Sequence, residues 1–374
     1  MPDGKKANHS PSAVLRRLVP FPALKRTAGL PRLGNRKGSD KRIVAKTVTF
    51  FPQNKDDNLS NEMLNAKRDN FSRYAWFALG YNILVILWGV FLRASHSGDG
   101  CGQHWLTCHG EAIPPAPQLK TLIEFSHRLT SAVAGLIVLV LVIWAFRRFE
   151  RRSLTRYFAG LSFFLILVEG AIGGGLVLTG NTAANWTPTR PYWAAGHLVN
   201  TFALIAFLAL TAWSTSLKRF NLRRLAPLEI VAIIVCAAAM MLVGISGSMA
   251  SLAHMLFPSE TIAEGIAKDF DPTSHWLLRL RILHPTLSIF AVVVIAFVAN
   301  WMKRRFPASV STAFWVRSLS ILLFVQLGFG AVTLLTLAPI VMQLGHLLLA
   351  DLIWIAFVLA SANFVSEQNG ATDH

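Results

Sequence analysis

An internal repeat of an apolar segment constrains this chain more than any other feature of its sequence. The first copy, residues 124–149, reads EFSHRLTSAVAGLIVLVLVIWAFRRF, and the second copy, residues 281–306, reads RILHPTLSIFAVVVIAFVANWMKRRF. A shift of 157 positions aligns His127 with His284, together with a tryptophan and an Arg-Arg-Phe ending. Because such a register rarely arises by chance, we interpret the chain as two related halves.

The apolar composition of the chain predicts a membrane protein. Of its 374 residues, 53% are hydrophobic and 15% are charged, whereas about a quarter of residues are charged in soluble domains. Apolar runs recur that are long enough to cross a hydrocarbon core of about 30 Å. We therefore predict an all-α polytopic membrane protein with eight transmembrane helices. Their predicted bounds are roughly 74–94, 121–146, 157–179, 192–214, 226–250, 277–302, 314–336 and 340–364.

The basic residues indicate membrane topology rather than a nucleic-acid partner. The net charge is +17, but lysines and arginines concentrate in the N-terminal segment and in the loops after the second, fourth and sixth spans. An alternation of this kind follows the positive-inside rule. We therefore expect both termini in the cytoplasm, contact with the lipid bilayer and no binding of nucleic acid.

The repeat and the topology together predict how the halves are arranged. Four spans in each half bring both halves into the membrane from the same side, so a pseudo-two-fold axis along the membrane normal should relate two four-helix bundles. We predict a basic, disordered cytoplasmic tail over residues 1–72, bundles over 73–215 and 216–365, and a cytoplasmic C-terminal tail over 366–374. A mitochondrial transit peptide is the minority interpretation of the N-terminal segment.

The loop after the first span carries a cysteine pair. Residues 95–110 read SHSGDGCGQHWLTCHG and contain Cys101 and Cys108. The predicted topology places this loop outside the cell, where disulfides persist. A structural disulfide and a redox-active pair are both compatible with the spacing. A zinc site that uses the three histidines of the loop is disfavoured, because their spacing is not that of metal ligands.

Four histidines occupy repeat-related positions within the predicted spans. His127 and His284 lie in the second helix of each half, and the triplets around His197 and His346 match as Gly-His-Leu in the fourth helices. All four lie toward the outer ends of their helices. Two facing helices that each present one imidazole can clamp a planar iron porphyrin, for which histidine is a common axial ligand. The sequence therefore predicts two bis-histidine heme sites.

Basic residues near these histidines are candidates for binding the heme propionates. Arg128, Arg279 and Arg281 lie within about a turn of a predicted ligand, near the outer interface. The two copies of the repeat differ at its first position, which is Glu124 in one half and Arg281 in the other. This difference favours unlike roles for the two sites.

Short motifs surround the histidines and the outer loops. They are EFSHR at 124–128, the two Gly-His-Leu triplets, LFPS at 256–259 and the His-Pro pair at 284–285. With these motifs the chain resembles the heme A synthase family, in its bacterial form with a cysteine pair. The resemblance covers about residues 74–364.

The resemblance implies different ligands for the two halves. It implies that the first half binds heme o as the substrate between His127 and His197. It also implies that the second half holds heme b as an electron-transfer cofactor between His284 and His346. The implied reaction oxidises the C8 methyl group of heme o, through a hydroxymethyl group, to the formyl group of heme A. The alternative is a di-heme b-type cytochrome that acts only in electron transfer.

The resemblance also implies a location and partners. We expect a multi-pass protein of the cell inner (plasma) membrane that works with heme o synthase and with oxidase assembly factors. Formation of a homo-oligomer is left open. The sequence departs from the family at Glu169, where glutamine is more common, and at Asp351. Each acid costs about 3 kcal/mol if it is unpaired at mid-membrane, so each needs a partner.

Glu124 is the candidate catalytic residue. It precedes His127 by three positions, so the two side chains share one face of the helix. A carboxylate beside the heme could stabilise developing positive charge or accept a released proton. The structural alternatives are a favourable acid at a helix N-terminus or an ion pair with Arg128.

Overall fold

The computed structural model describes residues 55–114, 117–182, 186–216, 221–222, 225–307 and 309–371, with side chains for residues 70–368 of these ranges. Within them the regular structure is helical, apart from an isolated bridge between Cys108 and Glu111. The α-helices are α1 (Lys55–Ala94), α2 (Leu119–Arg148), α3 (Leu154–Leu178), α4 (Arg190–Trp213), α5 (Pro227–Leu256), α6 (Ile262–Phe270), α7 (Trp276–Arg279), α8 (Leu283–Arg305), α9 (Val310–Leu335) and α10 (Ile340–Ala371).

The described chain contains eight spans that are long and apolar enough to cross a membrane, which confirms the predicted fold class. They are Asn70–Ala94, Leu119–Arg148, Leu154–Leu178, Arg190–Trp213, Pro227–Leu256, Trp276–Arg305, Val310–Leu335 and Ile340–Gln368. The observed ends differ from the predicted ends by a few residues at most positions. The fifth span extends furthest beyond its prediction, since α5 continues to Leu256.

The first helix begins well before its membrane span. α1 starts at Lys55, so the predicted disordered tail over residues 1–72 is wrong for residues 55–72, which are helical. This stretch is polar, but it contains good helix formers and neither glycine nor proline. Apolar length predicts where a helix enters the membrane, and it does not predict where that helix starts. Residues 1–54 of the predicted tail lie outside the described residues.

The sixth span is not one continuous α-helix as predicted. It consists of α7, a short 3-10 segment over Leu280–Ile282, and α8. Pro285 lies in the first turn of α8 and has no N–H to donate to the preceding turn. The backbone tightens at this point, which sets the start of the helix that carries His284.

The helix ends carry signals that the sequence makes plain. Ser153 and Ser309 cap α3 and α9 by accepting hydrogen bonds from the backbone N–H groups of Arg156 and Thr312. The last turns of α2 and α8 carry the repeated basic residues, where cations interact favourably with the helix dipole. A short helix, α6, follows the LFPS segment in the loop after the fifth span.

The spans form two rings of four helices. In the first half, α1 packs on α2, α2 on α3, α3 on α4 and α4 on α1. In the second half, α5, α8, α9 and α10 make the corresponding set of contacts. The halves meet through three helix pairs, α4 with α10, α4 with α5, and α1 with α10. Exchanging the repeat-related helices maps these three pairs onto one another, as the predicted pseudo-two-fold relation requires. The bundle boundary between residues 215 and 216 stays a prediction.

The helices α4 and α10 form the centre of the molecule. Half of the apolar window of α4 and 72% of that of α10 are buried, against 11–22% for the other spans. The outer helices instead expose large apolar side chains, such as Leu136 and Phe297, as expected for surfaces that face lipid. The end of the bundle at which α1 ends and α2 begins is called the disulfide face below, because it carries Cys101 and Cys108.

The charge distribution predicts the orientation of this fold in the membrane. A reporter fused after Arg152 should be cytoplasmic, and one inserted near Asn181 should be external, because basic residues flank the first position. Enzyme reporters that are active on only one side of the membrane measure this directly. The opposite pattern would place the disulfide face in the cytoplasm.

Candidate functional site

The structure places all four predicted histidines in helix segments next to the disulfide face. His127 lies in the early part of α2, His197 in α4, His284 at the start of α8 and His346 in α10. Each of these residues is half-buried. The repeat in the sequence therefore corresponds to two histidine pairs at the same depth of the bundle.

The pair in the second half lies close together. The ring centroids of His284 and His346 are 6.1 Å apart, and the ring planes are nearly perpendicular at 83°. Two imidazoles that share one metal ion in line would have ring centres about 6 Å apart, because each metal–nitrogen bond is about 2 Å long. The observed separation therefore fits axial ligation of one ion.

Neutral polar groups surround this second pair. Nδ1 of His284 lies 3.2 Å from Oγ of Ser246 and 3.2 Å from the carbonyl oxygen of Val243. Gln326 donates to the carbonyl of His346 at 3.0 Å, and its Nε2 lies 3.4 Å from Nε2 of that ring. Nδ1 of His346 is buried without a hydrogen-bond partner.

The pair in the first half has a charged neighbour instead. Nδ1 of His197 lies 3.0 Å from Oε1 of Glu169. The same carboxylate accepts hydrogen bonds from the Nδ2 of Asn200, at 2.5 Å, and from the hydroxyl of Thr201. Glu169 thus has the partners that an intramembrane acid requires. His127 is close enough to His197 to interact with it electrostatically, and its own Nδ1 is buried without a partner.

Glycines allow neighbouring helices to approach the histidine rings closely. A Cβ atom added to Gly89, Gly247 or Gly330 would lie 3.0, 2.8 or 3.0 Å from Cε1 of His127, His284 or His346, respectively. A side chain at Gly247 would force the ring or the helix to shift, and one at Gly89 or Gly330 would require the ring to move by a few tenths of an ångström. The alignment by 157 positions missed Gly89 and Gly247, which a shift of 158 positions would have aligned. Buried ring nitrogens without a hydrogen-bond partner, next to helix faces without side chains, fit the binding of a planar group by histidine ligands.

Glu124 links α2 to the cysteine loop. It is only 3% exposed, and its Oε2 accepts a hydrogen bond from the backbone N–H of Cys101 at 2.8 Å. Its Oε1 accepts hydrogen bonds from Nη2 and Nε of Arg128 at 2.5 and 3.2 Å. The ion pair that was one of the structural alternatives is therefore present.

Arg128 holds the cysteine loop from the other side. Its Nη1 donates to the carbonyl oxygens of His104 and Thr107 at 2.5 and 2.8 Å. Thr121 donates to the carbonyl of Gly100 at 2.7 Å, and the Cys101–Cys108 disulfide closes the loop with a Cα–Cα distance of 4.4 Å. The guanidinium of Arg128 is therefore largely occupied by protein groups.

The other residues selected from the sequence lie in different surroundings. Arg281 forms an ion pair with Asp269 at 2.6 Å, and Arg279 is exposed. His275 accepts a hydrogen bond from the N–H of Leu277 at the start of α7. Asp351 is fully buried, and neither of its carboxylate oxygens has a hydrogen-bond partner among the described residues.

Fold and site together define a class: a helical membrane protein with eight spans, built from two related halves that each carry a pair of histidines. The sequence model of the Cytochrome oxidase assembly protein family (COX15-CtaA) matches residues 72–358. The chain belongs to this family, which is that of the heme A synthases.

Relatives support this assignment over different lengths. A protoheme IX farnesyltransferase of Thermus thermophilus is 40% identical over 291 residues, which are 78% of this chain and 48% of that protein. Heme A synthases of Shouchella clausii and Exiguobacterium sibiricum are 40% and 36% identical over 100 and 115 residues, or 27% and 31% of this chain and 33% and 38% of those proteins. The chain thus spans about half the length of the Thermus relative and about a third of each heme A synthase.

The contacts of Arg128 predict the effect of its removal. Arg128→Gln should speed amide exchange in residues 95–114 and lower the free energy of unfolding by about 1–3 kcal/mol, because Glu124 and two loop carbonyls lose a charged donor. Hydrogen exchange with mass spectrometry and thermal unfolding in detergent measure both effects. Arg279→Gln removes the same charge from an exposed position and is the control. Equal exchange in the two variants would contradict the predicted role.

Proposed function

We propose that this chain is a heme A synthase that oxidises the C8 methyl group of heme o, through a hydroxymethyl group, to a formyl group. Membership of the family supports an enzyme of heme A biosynthesis in a membrane. The observation that carries the finer proposal is the pair of repeat-related histidine sites with unlike neighbours. Glu169 stands beside His197 in one half, and Gln326 stands beside His346 in the other.

In this proposal the first half binds the substrate. His127 and His197 are the axial ligands of heme o, with Glu124 one turn before His127 on the same helix face. Oxidation of a ring-edge methyl group develops positive charge beside it. Carboxylates held in place by the protein can stabilise this charge or accept the released proton. Both acids near the first pair, Glu124 and Glu169, are held by hydrogen bonds within the described chain.

The second half binds the cofactor in this proposal. His284 and His346 would hold heme b, which would supply one-electron chemistry when it is bound. The residues around this pair are polar and neutral, which suits a site that holds a group without reacting with it. Ser246 and the Val243 carbonyl orient His284 through Nδ1. Orientation of this kind is typical of histidine ligands.

The runner-up function is a di-heme b-type cytochrome that only transfers electrons. A pure electron carrier needs no carboxylates at one site and neutral groups at the other. The contrast between Glu124 and Arg281, and between Glu169 and Gln326, therefore favours the enzyme. Both histidine pairs also lie next to one face of the bundle, which disfavours electron transfer across the membrane.

The proposed setting follows from the same observations. We place the enzyme in the cell inner (plasma) membrane with both termini in the cytoplasm, and the bundles over 73–215 and 216–365 as the substrate and cofactor halves. Heme o synthase is the proposed supplier of substrate, in line with the farnesyltransferase name of the Thermus relative. Oxidase assembly factors are the proposed recipients of heme A. The disulfide of Cys101 and Cys108 is proposed as an external thiol-exchange site.

Pigment analysis tests the function and the ligand assignment together. The protein is co-expressed with a source of heme o, and extracted pigments are separated. Heme A or its hydroxymethyl precursor is expected with the native protein. His284→Ala and His346→Ala should remove a stable low-spin heme b spectrum. His127→Ala and His197→Ala should keep that spectrum and abolish conversion. Full spectra and full conversion in all four variants would overturn the assignment.

The proposed role of Glu124 predicts a separation of binding from turnover. Glu124→Gln keeps the shape of the side chain and can still contact Cys101, so heme content should be retained. Conversion to heme A should fall by a factor on the order of 10²–10⁴, the usual contribution of a positioned acid or base. Glu264→Gln, in the exposed helix α6, is the control. Normal conversion in Glu124→Gln protein with full heme content would leave only the ion-pair role.

The glycine contacts predict a steric test of the second site. Gly247→Ala places a Cβ 2.8 Å from the ring of His284, so the ring or the helix must shift. Overpacking costs about 1–3 kcal/mol, enough to lower heme b affinity by roughly tenfold. Gly328→Ala on α9 is the matched control, because its added Cβ would have no heavy atom within 4 Å. Heme per protein and the low-spin absorption are measured. Equal heme content in the two variants would contradict the assignment of His284.

A further inference from the structure

A polar cavity lies between the two halves at the disulfide face. Its volume is about 280 Å³, and its lining comes from the ends of α1 and α5 and from the turn that leads into α10. Arg93 crosses from the first half and donates from Nη2 to Oγ of Ser251 at 2.8 Å. The hydroxyl of Ser251 in turn donates to Oε1 of Gln343 at 3.4 Å. None of these residues belongs to the sites assigned above.

The cavity lies where the pseudo-two-fold relation brings equivalent residues together. A single shift of 158 positions aligns three pairs of residues at the ends of α1 and α5. These pairs are Gly89 with Gly247, Arg93 with Ser251, and His96 with His254. The last two pairs line the cavity. The two halves have therefore diverged at this position, because an arginine in the first half corresponds to a serine in the second.

The cavity is one helical turn from the second histidine pair. Gly247 contacts the ring of His284, and Ser251 follows it by four residues, which is about 6 Å along α5. Gln343 precedes His346 by three residues and shares its face of α10. Two residues of the cavity thus lie directly beyond the two imidazoles, toward the disulfide face.

The charge in the cavity is positive and lacks a counter-ion. Arg93, His96 and His254 line it, and no carboxylate is among the lining residues in the described part of the chain. The hydrogen-bond partner of Arg93 is the neutral hydroxyl of Ser251. Arg93 is half-buried, and a guanidinium that is partly withdrawn from water is costly unless an anion pairs with it.

We propose that this cavity binds a propionate carboxylate of the heme held by His284 and His346, with Arg93 of the other half as its counter-ion. The inference rests on the proposed heme b site and adds a binding residue from the substrate half. Propionates extend from the edge of the macrocycle, so a pocket one turn beyond both axial ligands is within their reach. The arginines next to the ligands in sequence are engaged elsewhere, since Arg128 binds Glu124 and Arg281 binds Asp269.

Reconstitution with heme b and with its dimethyl ester tests this inference. The ester keeps the iron and the ring but has no carboxylate charge. Purified protein should bind heme b about 10- to 100-fold more tightly than the ester, as expected for a charge-assisted hydrogen bond. Arg93→Gln should abolish most of this preference and lower the midpoint potential, because a cation near the heme favours its reduced form. Lys120→Gln, which removes an exposed cation from the first turn of α2 at the same face, should change neither.

Arg93→Lys keeps the charge and covers the case in which Arg93→Gln does not fold. It should retain part of the preference for heme b over the ester. Equal affinity of the native protein for heme b and the ester would overturn the inference, as would an equal loss for both ligands in Arg93→Gln. The latter result would indicate a structural contact or an anionic lipid headgroup in the cavity. If the low-spin spectrum persists in His284→Ala and His346→Ala protein, the proposed heme b site itself fails, and the inference fails with it.

Discussion

The packing of α4 against α10 is the interaction on which the rest of the structure depends. Trp354 of α10 stacks on Phe202 of α4, with ring centroids 5.5 Å apart, and donates a hydrogen bond to the Phe202 carbonyl at 2.7 Å. Each of these central helices also carries one histidine of a pair, His197 on α4 and His346 on α10. The contact between α4 and α10 therefore fixes the position of one histidine of each pair relative to one histidine of the other pair. The outer helices pack around this centre and expose their remaining apolar surface to lipid.

The two halves share a backbone plan and differ in charge. Glu169 and Gln326 occupy equivalent positions and both contact the histidine of the following helix, but Glu169 is an acid at the ring Nδ1 and Gln326 is an amide that donates to the backbone carbonyl. Glu124 and Arg281 also occupy equivalent positions, and their side chains carry opposite charges. A duplicated bundle can keep one ligand geometry twice because side-chain packing preserves it, while single substitutions change the electrostatic environment of each copy. This division supports one reacting site and one holding site.

The sequence predicted the spans, the helical class and the positions of the four histidines along their helices, because the length and the apolar periodicity of a span are local properties. It did not predict the helix that starts at Lys55, because polar helix formers carry no signal of membrane entry. It also missed the break before His284, although Pro285 was a visible cause. The shift of 158 positions that aligns Gly89 with Gly247 also aligns His96 with His254. The sequence therefore pointed to the segment in which Arg93 lies, although not to the proposed role of Arg93.

The sequence alone determined how many times the described chain can cross a membrane and where each histidine lies along its helix. Within the hydrocarbon core only helices and closed barrels satisfy every backbone hydrogen bond, and apolar runs of about 20 residues have the length of a spanning helix. Only the tertiary structure decided which polar groups contact each charged side chain. The amide of Cys101 meets Glu124 from a loop, and Arg93 meets Ser251 from the other half. Such pairings depend on how helices pack, because the partners are distant in sequence and no local pattern connects them.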